Sequence, residues 1–307
     1  MNEIDPLNAT ASDFSRRAFV GLSAGAALYA GAGAQAIAQT KPLGAPHEPL
    51  VAENDPAITA DWITLDRPDK KIRAYAAAPI NAGPNTPGIV VVMHIWGVDT
   101  SIRDCVRRLA KEGYAVVAPD LFDRFSAPSG DGATDYKPFA EISAKLVDAQ
   151  VDGDLQAGAQ WLKTHHPHGK IGVTGICMGG GITLRQAVDS PIFSAAAVWY
   201  GKVRYATGGP PGNNEGPITR MALAYADEIR IPIAGNFGER DTGIRGDDVR
   251  ALAKQLTVPH NIKVYAEAGH AFFDDQRESY VPSAAADAWT RTLAFFAKYL
   301  KGRSRTS

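Results

Sequence analysis

The sequence predicts an α/β fold in which a mostly parallel, doubly wound sheet is flanked by helices. Short apolar runs typical of buried strands alternate with longer amphipathic patterns typical of helices. The chain has 307 residues, 45% of them hydrophobic, which suits a single large domain with a buried core. Its two cysteines, Cys105 and Cys177, allow at most one disulfide and exclude a disulfide-built scaffold. A net charge of −1 gives no reason to expect nucleic acid as a partner.

The first part of the predicted domain contains three strands and one helix. IRAYAAAP at 72–79 predicts a strand, and the wholly apolar GIVVVMHI at 88–95 predicts a fully buried one. Residues 102–113 fit a helix that ends at a glycine. YAVVAPD at 114–120 predicts the next strand, which ends at a proline.

The middle of the chain repeats this alternation. An amphipathic pattern at 138–164 predicts one long helix, and KIGVTG at 170–175 predicts a strand directly after it. A helix is predicted at 178–188, followed by the strand FSAAAVWY at 193–200.

The last part contains two more predicted strands, IPIAGNFG at 231–238 and NIKVYAEA at 261–268. Each is followed by a helical pattern, and the final helix is predicted at 283–301. Strands that alternate with helices form right-handed βαβ units. The loops at the carboxyl ends of the parallel strands therefore meet at one edge of the sheet, where such folds bind ligands.

The N-terminus carries a separate signal. Arg16 and Arg17 precede a weakly apolar run rich in Ala and Gly, which ends in the small-x-small sequence Ala-Ile-Ala at 36–38. A membrane anchor is the alternative, but the diluted hydrophobicity and the cleavage site favour a removed signal peptide. The Ser-Arg-Arg-x-Phe pattern resembles a twin-arginine export signal. It implies the twin-arginine export machinery as a transient partner and a mature protein that begins near Gln39, in the periplasm or secreted, with no stable membrane span.

The predicted organisation follows from these boundaries. It comprises a signal peptide at 1–38, a linker rich in Pro and polar residues at 39–58, the folded domain at 59–302 and a tail at 303–307.

GICMGG at 175–180 lies between a predicted strand and a predicted helix. Gly175 and Gly179 flank Cys177 at the spacing of the G-x-S-x-G nucleophile elbow, with cysteine in place of serine. The glycines leave room for the strained backbone of such an elbow. The alternative is that Cys177 is a small apolar residue in a glycine-rich loop.

A nucleophile elbow requires an acid and then a histidine further along the chain. Asp241 follows the predicted strand 231–238, and His270 follows the strand 261–268. Both therefore lie at the edge of the sheet where an active site is expected. Three neighbouring acids are alternatives to Asp241: Glu239, Asp247 and Asp248.

With these motifs in place, the chain resembles the dienelactone hydrolase family of the α/β-hydrolase fold. The resemblance covers about residues 60–300. It is carried by GICMGG, the ERD segment, AGHAFF, HIWGV at 94–98 and PDLF at 119–122. It implies hydrolysis of an ester or lactone, with no metal or organic cofactor.

The resemblance also implies roles for individual residues. Cys177 would be the nucleophile, His270 the general base and Asp241 its orienting acid. The backbone N–H groups of Ile95 and Met178 would form the oxyanion hole, whose donors contribute about 3–4 kcal/mol each.

Two positions depart from the family's pattern. His94 stands where the family has a glutamate that helps to control the ionisation of the thiol. Asp274 stands where the family has an arginine that binds a substrate carboxylate, so uncharged substrates are expected to be preferred. Arg124 is the basic candidate that could replace that arginine, with an ordinary surface ion pair as the alternative. Trp96 is expected to form a pocket wall.

Three further features have simpler explanations. The histidines of HHPH at 165–168 have no nearby cysteine or carboxylate partner, so no metal site is expected. Segment 201–229 is a surface loop or a partial lid. Cys105 is expected to be a buried structural thiol. Two alternatives to a lactone hydrolase also stay open: a general carboxylesterase and a non-catalytic ligand-binding relative.

Overall fold

The computed structural model describes residues 47–203 and 226–301. Eight strands form one sheet in these ranges, in the order β1-β2-β4-β3-β5-β6-β7-β8. Strands β3 to β8 run parallel, whereas β2 pairs antiparallel with both β1 and β4. The strands are β1 (Ile58–Leu65), β2 (Ile72–Pro79), β3 (Gly88–Val92), β4 (Ala115–Pro119), β5 (Ile171–Ile176), β6 (Ala195–Trp199), β7 (Ile233–Gly238) and β8 (His260–Tyr265).

Six α-helices of the described ranges connect these strands and pack on the sheet. They are α1 (Thr100–Lys111), α2 (Lys137–Ser143), α3 (Asp148–His165), α4 (Met178–Asp189), α5 (Gly246–Gln255) and α6 (Pro282–Leu300). The start of α1 is fixed by Asp99, whose side chain accepts the Ile102 N–H. The predicted α/β class and the mostly parallel sheet are confirmed.

The middle of the sheet is the core of the molecule. Every residue of β3, β4, β5, β6 and β7 is buried. Strands that are buried on both faces read as continuous apolar runs, which is why the sequence identifies them so directly. The carboxyl ends of β3, β5, β7 and β8 lie at one edge of the sheet, and the residues that follow them form the site described below.

Three local predictions need correction. The strand predicted at 88–95 ends at Val92, and the chain turns immediately after it. The single helix predicted at 138–164 is two helices, because the backbone becomes extended at Val147 between α2 and α3. Strand β1 has no counterpart among the predicted strands. Only its terminal residues, Ile58 and Leu65, are buried, so it lacks the apolar period of a core strand.

The segment that precedes β1 packs against the domain. The backbone N–H groups of Leu50 and Val51 donate to the buried carboxylate of Asp104 in α1. The N–H of His47 donates to the carbonyl oxygen of Asp275. The part of the predicted linker that the structure describes is therefore held by hydrogen bonds.

The signal peptide predicted at 1–38 lies outside the described residues. So do the predicted tail at 303–307 and residues 204–225 of the predicted loop or lid. Within the described ranges, none of the helices combines the length and the apolar character that crossing a membrane requires.

Candidate active site

Cys177 occupies a sharp turn between β5 and α4. Its backbone has φ 56° and ψ −114°, a conformation that residues with a side chain rarely adopt. The two flanking glycines explain how the chain makes this turn. A Cβ at Gly175 would lie 2.1 Å from the carbonyl oxygen of Gly179, and a Cβ at Gly179 would lie 2.2 Å from that of Val92. The glycine spacing seen in the sequence is therefore a steric requirement of the turn.

Two residues that adjoin His270 also have positive φ. Tyr200, directly after β6, has φ 37°, and Ala271 has φ 59°. The ring of Tyr200 meets the ring of His270 edge-on, with 5.1 Å between centroids. Strained backbone conformations are typically found together at functional sites, where the surrounding structure enforces them.

Cys177, His270 and Asp241 form a continuous chain of contacts. The Nε2 atom of His270 lies 3.1 Å from the Sγ atom of Cys177, and its Nδ1 atom lies 2.7 Å from Oδ2 of Asp241. The other carboxylate oxygen of Asp241 accepts the N–H groups of Gly243 and Ile244, at 2.9 and 3.0 Å. Asp241 is buried, so these contacts hold both its charge and its orientation.

The sequence does not decide which of several neighbouring acids orients the histidine, and the structure separates Asp241 from two of the others. The carboxylate of Glu239 receives two hydrogen bonds from Arg250, at 2.8 and 3.0 Å. Asp247 also accepts a hydrogen bond from Arg250, at 2.8 Å. Asp241 is the acid that contacts His270.

The thiol and the imidazole of this group stabilise each other's charged forms. Burial by itself would raise the pKa of Cys177, but the charge and hydrogen bond of His270 and the charge of His94 lower it. Burial would lower the pKa of His270, but the Cys177 thiolate and Asp241 raise it well above its ordinary value. Each group therefore favours the charged form of the other, and the thiolate is the reactive form of a cysteine.

The predicted oxyanion-hole residues lie at the ends of two neighbouring strands. The backbone N–H of Met178, the first residue of α4, is directed at the sulfur of Cys177 and contributes to its lowered pKa. Ile95 is buried in the tight turn that follows β3. In that turn the N–H of Gly97 donates to the carbonyl oxygen of His94, and Gly97 has φ 82°. Positive φ at this position is accessible to glycine without strain.

His94 is buried beside the site, with 4% of its surface exposed. Its Nε2 atom lies 2.8 Å from Oδ1 of Asp99, and its Nδ1 atom lies 3.9 Å from Oδ2 of Asp274. Burial would lower the pKa of His94, but Asp99, Asp274 and the Cys177 thiolate raise it above its ordinary value. The surroundings of His94 therefore favour its positively charged form, at the position where the family resemblance leads one to expect a glutamate.

Asp274 is paired with a basic residue that sequence reasoning missed. The Nε atom of Arg277 lies 3.2 Å from Oδ2 of Asp274, and the Arg277 guanidinium lies over the ring of Trp96, 4.3 Å from its centroid. Asp274 is therefore buried with a partner and is not a bare carboxylate. The sequence did contain an indication of this pair, because Arg277 follows Asp274 by only three residues in the same loop.

Trp96 and Arg124 have different surroundings. Trp96 contacts the ring of Phe139 and lines a cavity of about 570 Å³. The guanidinium of Arg124 donates hydrogen bonds to Asp154 at 2.6 Å and to Asp69 at 2.7 Å. Arg124 is therefore already paired with two carboxylates of the protein. No contact between Arg124 and the Cys177 group is seen among the described residues.

The remaining candidates lie away from Cys177. Cys105 is buried in α1, and burial raises the pKa of its thiol to about 12. The Nδ1 atoms of His165 and His166 each lie 2.8 Å from a backbone carbonyl oxygen. Within residues 47–203 and 226–301, no group of three or more potential ligands is arranged to hold a metal ion.

Cys177 lies at a strand-to-helix elbow and contacts His270, which in turn contacts Asp241. The three residues follow one another along the chain in the order nucleophile, acid, histidine, which is the order found in the α/β-hydrolase fold. A model of the dienelactone hydrolase family matches residues 72–300. The chain therefore belongs to the dienelactone hydrolase family, and it is an enzyme of the class that hydrolyses esters and lactones.

Individual relatives agree with this assignment. The chain is 34% identical over 255 residues to a protein of Escherichia coli strain K12 named "Putative carboxymethylenebutenolidase", which covers 81% of this chain and 91% of the relative. A protein of the same name from Methylorubrum extorquens is 33% identical over 257 residues, covering 81% of this chain and 84% of the relative. The crystal structure titled "Putative Dienelactone Hydrolase from Klebsiella pneumoniae subsp. pneumoniae MGH 78578" has a TM-score of 0.69 and 35% identity. It covers 79% of this chain and 100% of that one.

Proposed function

We propose that this enzyme hydrolyses an ester or a lactone through a covalent acyl-enzyme on Cys177, with His270 as general acid and base and Asp241 as its orienting partner. The observation that carries the proposal is the unbroken contact from Sγ through the imidazole to a buried carboxylate. This arrangement provides a nucleophile, a proton carrier and a group that holds the proton carrier in one orientation.

The first half of the proposed reaction forms the acyl-enzyme. The Cys177 thiolate attacks the carbonyl carbon, a C–S bond forms, and the carbonyl oxygen becomes an oxyanion. The N–H groups of Met178 and Ile95 stabilise that charge. When the intermediate collapses, the C–O bond breaks and the His270 imidazolium gives its proton to the leaving alkoxide.

The second half releases the acid. His270, now neutral, takes a proton from water as the water oxygen attacks the thioester carbon. The C–S bond then breaks and Cys177 departs as a thiolate beside the His270 imidazolium. The carboxylic acid that forms loses its proton to solvent. The enzyme returns to its starting charge state with one water consumed.

A substrate panel on the purified mature protein tests this proposal. We expect turnover of p-nitrophenyl esters and small lactones, with a burst of acyl-enzyme formation and inactivation by iodoacetamide. Cys177→Ala should abolish the burst, whereas Cys105→Ala should leave turnover nearly intact. Comparable activity in the Cys177→Ala protein would refute the cysteine mechanism.

The same panel separates the alternatives. Equal turnover of cyclic and acyclic esters would identify a carboxylesterase of broad specificity. Binding of esters without turnover, with iodoacetamide labelling of Cys177, would identify a non-catalytic ligand-binding relative.

We also propose that the protein is exported by the twin-arginine route and acts in the periplasm or outside the cell. The support is in the sequence: Arg16, Arg17 and the Ala-Ile-Ala at 36–38. N-terminal sequencing of protein from the cell envelope should begin at or near Gln39. Replacing both arginines with lysine should leave the precursor in the cytoplasm, and export of that variant would rule out this route.

A further inference from the structure

His94 lies between two buried carboxylates on different segments of the chain. Asp99 caps α1 and contacts the Nε2 side of the ring at 2.8 Å. Asp274, in the loop after β8, lies 3.9 Å from the Nδ1 side. A neutral imidazole has a proton on only one nitrogen, whereas an imidazolium presents N–H groups to both carboxylates. Two buried carboxylates facing one ring therefore favour the charged form.

Three other charged or titratable residues act on the His94 ring, on the carboxylates that face it or on the sulfur of Cys177. Arg277 pairs with Asp274 at 3.2 Å and lies 4.0 Å from Asp99, so it neutralises part of the negative charge. Tyr200 is buried near Asp274 and Cys177 and stays neutral, because burial raises its pKa well above the ordinary value. Lys202, after β6, is a further positive charge in the field of Cys177 and Asp241.

Two imidazoles therefore act on Cys177, one by direct contact and one through its charge. His270 contacts the sulfur from the loop after β8, at 3.1 Å. His94 acts on it from the turn after β3, and its charge is among the causes that lower the pKa of the thiol. The two rings differ in their partners, since His270 is free to exchange its proton during the reaction while both nitrogens of His94 face carboxylates.

We propose that His94 is a permanent imidazolium that keeps Cys177 in the thiolate form independently of the protonation state of His270. His94 gives up no proton in the cycle; it is a positioning residue that acts through Cys177. This inference rests on the proposed cysteine mechanism.

The second imidazolium matters most in deacylation. At the start of that step His270 is neutral, because it has protonated the leaving alkoxide. The C–S bond later breaks with both electrons going to sulfur, and the positive charge of His94 stabilises that departing thiolate. A lower pKa of the leaving thiol speeds its departure. A glutamate at this position would place the opposite charge beside the sulfur.

A thiolate titration in four proteins tests the proposal: native, His94→Gln, His270→Gln and the double variant. The absorbance at 240 nm is measured against pH, with Cys177→Ala as the blank. Cys105 does not interfere below pH 10, because burial raises its pKa to about 12. His260→Gln, a change at an exposed histidine, serves as the matched control and should titrate like the native protein.

We expect His94→Gln to raise the pKa of Cys177 by about one unit, within the range for losing one nearby opposite charge. At pH values well below the pKa of the native thiol, the thiolate fraction, and with it the rate of alkylation by iodoacetamide, should fall about tenfold. His270→Gln should keep a pKa below the ordinary value of about 8.5, and the double variant should return to that value or above it. A His94→Gln protein that titrates like the native one, or a His270→Gln protein that titrates like the double variant, would overturn the proposal.

A measurement on the native protein guards against a variant that does not fold. The imidazole ¹⁵N resonances of His94 should show both nitrogens protonated at pH 7, and a neutral ring at that pH would overturn the proposal. The proposed function fails differently. Esterase activity in Cys177→Ala would remove the cysteine mechanism and this inference together, whereas an unshifted thiolate in His94→Gln would remove this inference alone.

Discussion

Replacing Asp241 with asparagine tests the contact that orients His270. The substitution keeps the size of the side chain and removes one buried negative charge. In the native protein Oδ1 accepts two backbone N–H groups, while Oδ2 lies 2.7 Å from Nδ1 of His270. The amide oxygen of an asparagine would stay with the two N–H groups, so its NH₂ group would face Nδ1. Two donors would then oppose each other, which favours the ring tautomer that has its proton on Nε2 and cannot accept one from water.

The magnitude follows from the hydrogen bond that is lost. A hydrogen bond to a charged group contributes about 1.5–3 kcal/mol, and about 1.36 kcal/mol corresponds to a factor of ten in rate. We therefore expect kcat/KM to fall about 10- to 150-fold. Asp241 also raises the pKa of His270, so its removal lowers that pKa. The activity that depends on the His270 imidazolium should then decline at a lower pH than in the native protein, on the alkaline side of the plot of kcat/KM against pH.

The assay is the pH dependence of kcat/KM from pH 5 to 9 with a p-nitrophenyl ester. Glu239→Gln is the matched control, because Glu239 is a neighbouring acid that pairs with Arg250. It should leave the profile unchanged. The reasoning fails if Asp241→Asn keeps native activity and the native profile, or if Glu239→Gln is equally damaging.

Two further predictions concern the turn and the charge of the site. Gly179→Ala should lower the free energy of unfolding by about 1–3 kcal/mol, because its Cβ would lie 2.2 Å from the carbonyl oxygen of Val92. Gly83→Ala, where a Cβ meets nothing within 4 Å, should be close to neutral in the same denaturant titration, and equal effects would contradict the steric argument. Native enzyme should prefer an uncharged ester to its matched carboxylate-bearing analogue. Arg277→Gln should widen that preference in kcat/KM by removing a positive charge that pairs with Asp274, whereas an unchanged ratio would show that Arg277 does not influence the selection of substrates by charge.

Much of this protein could be predicted from sequence alone, because the relevant patterns are local. Strands buried on both faces appear as continuous apolar runs, and helices repeat with a different period, so the alternation of β and α elements is readable residue by residue. The elbow around Cys177 is readable for a similar reason: its glycines satisfy steric demands within five consecutive residues. Asp241 and His270 could be predicted because they follow the nucleophile in the expected order and each comes directly after the end of a predicted strand.

Tertiary structure decided what depends on residues that are distant in the chain. Strand β1 is half exposed and is defined by its pairing with β2, so its sequence has no clear apolar period. The break between α2 and α3 interrupts an apolar pattern that continues across it. Neither feature can be read from periodicity, because both are set by what the chain packs against.

The charges around the sulfur show the same limit most clearly. In sequence, His94 is a departure from a pattern and Asp274 is a repulsive carboxylate. In the folded protein, loops after β3 and β8 bring the two together, and Arg277 pairs with Asp274. The sign of the field at Cys177 is a sum over such neighbours in a buried environment, where each charge acts strongly over a few ångströms. Sequence determines which charges are available, and only the fold determines which of them face one another.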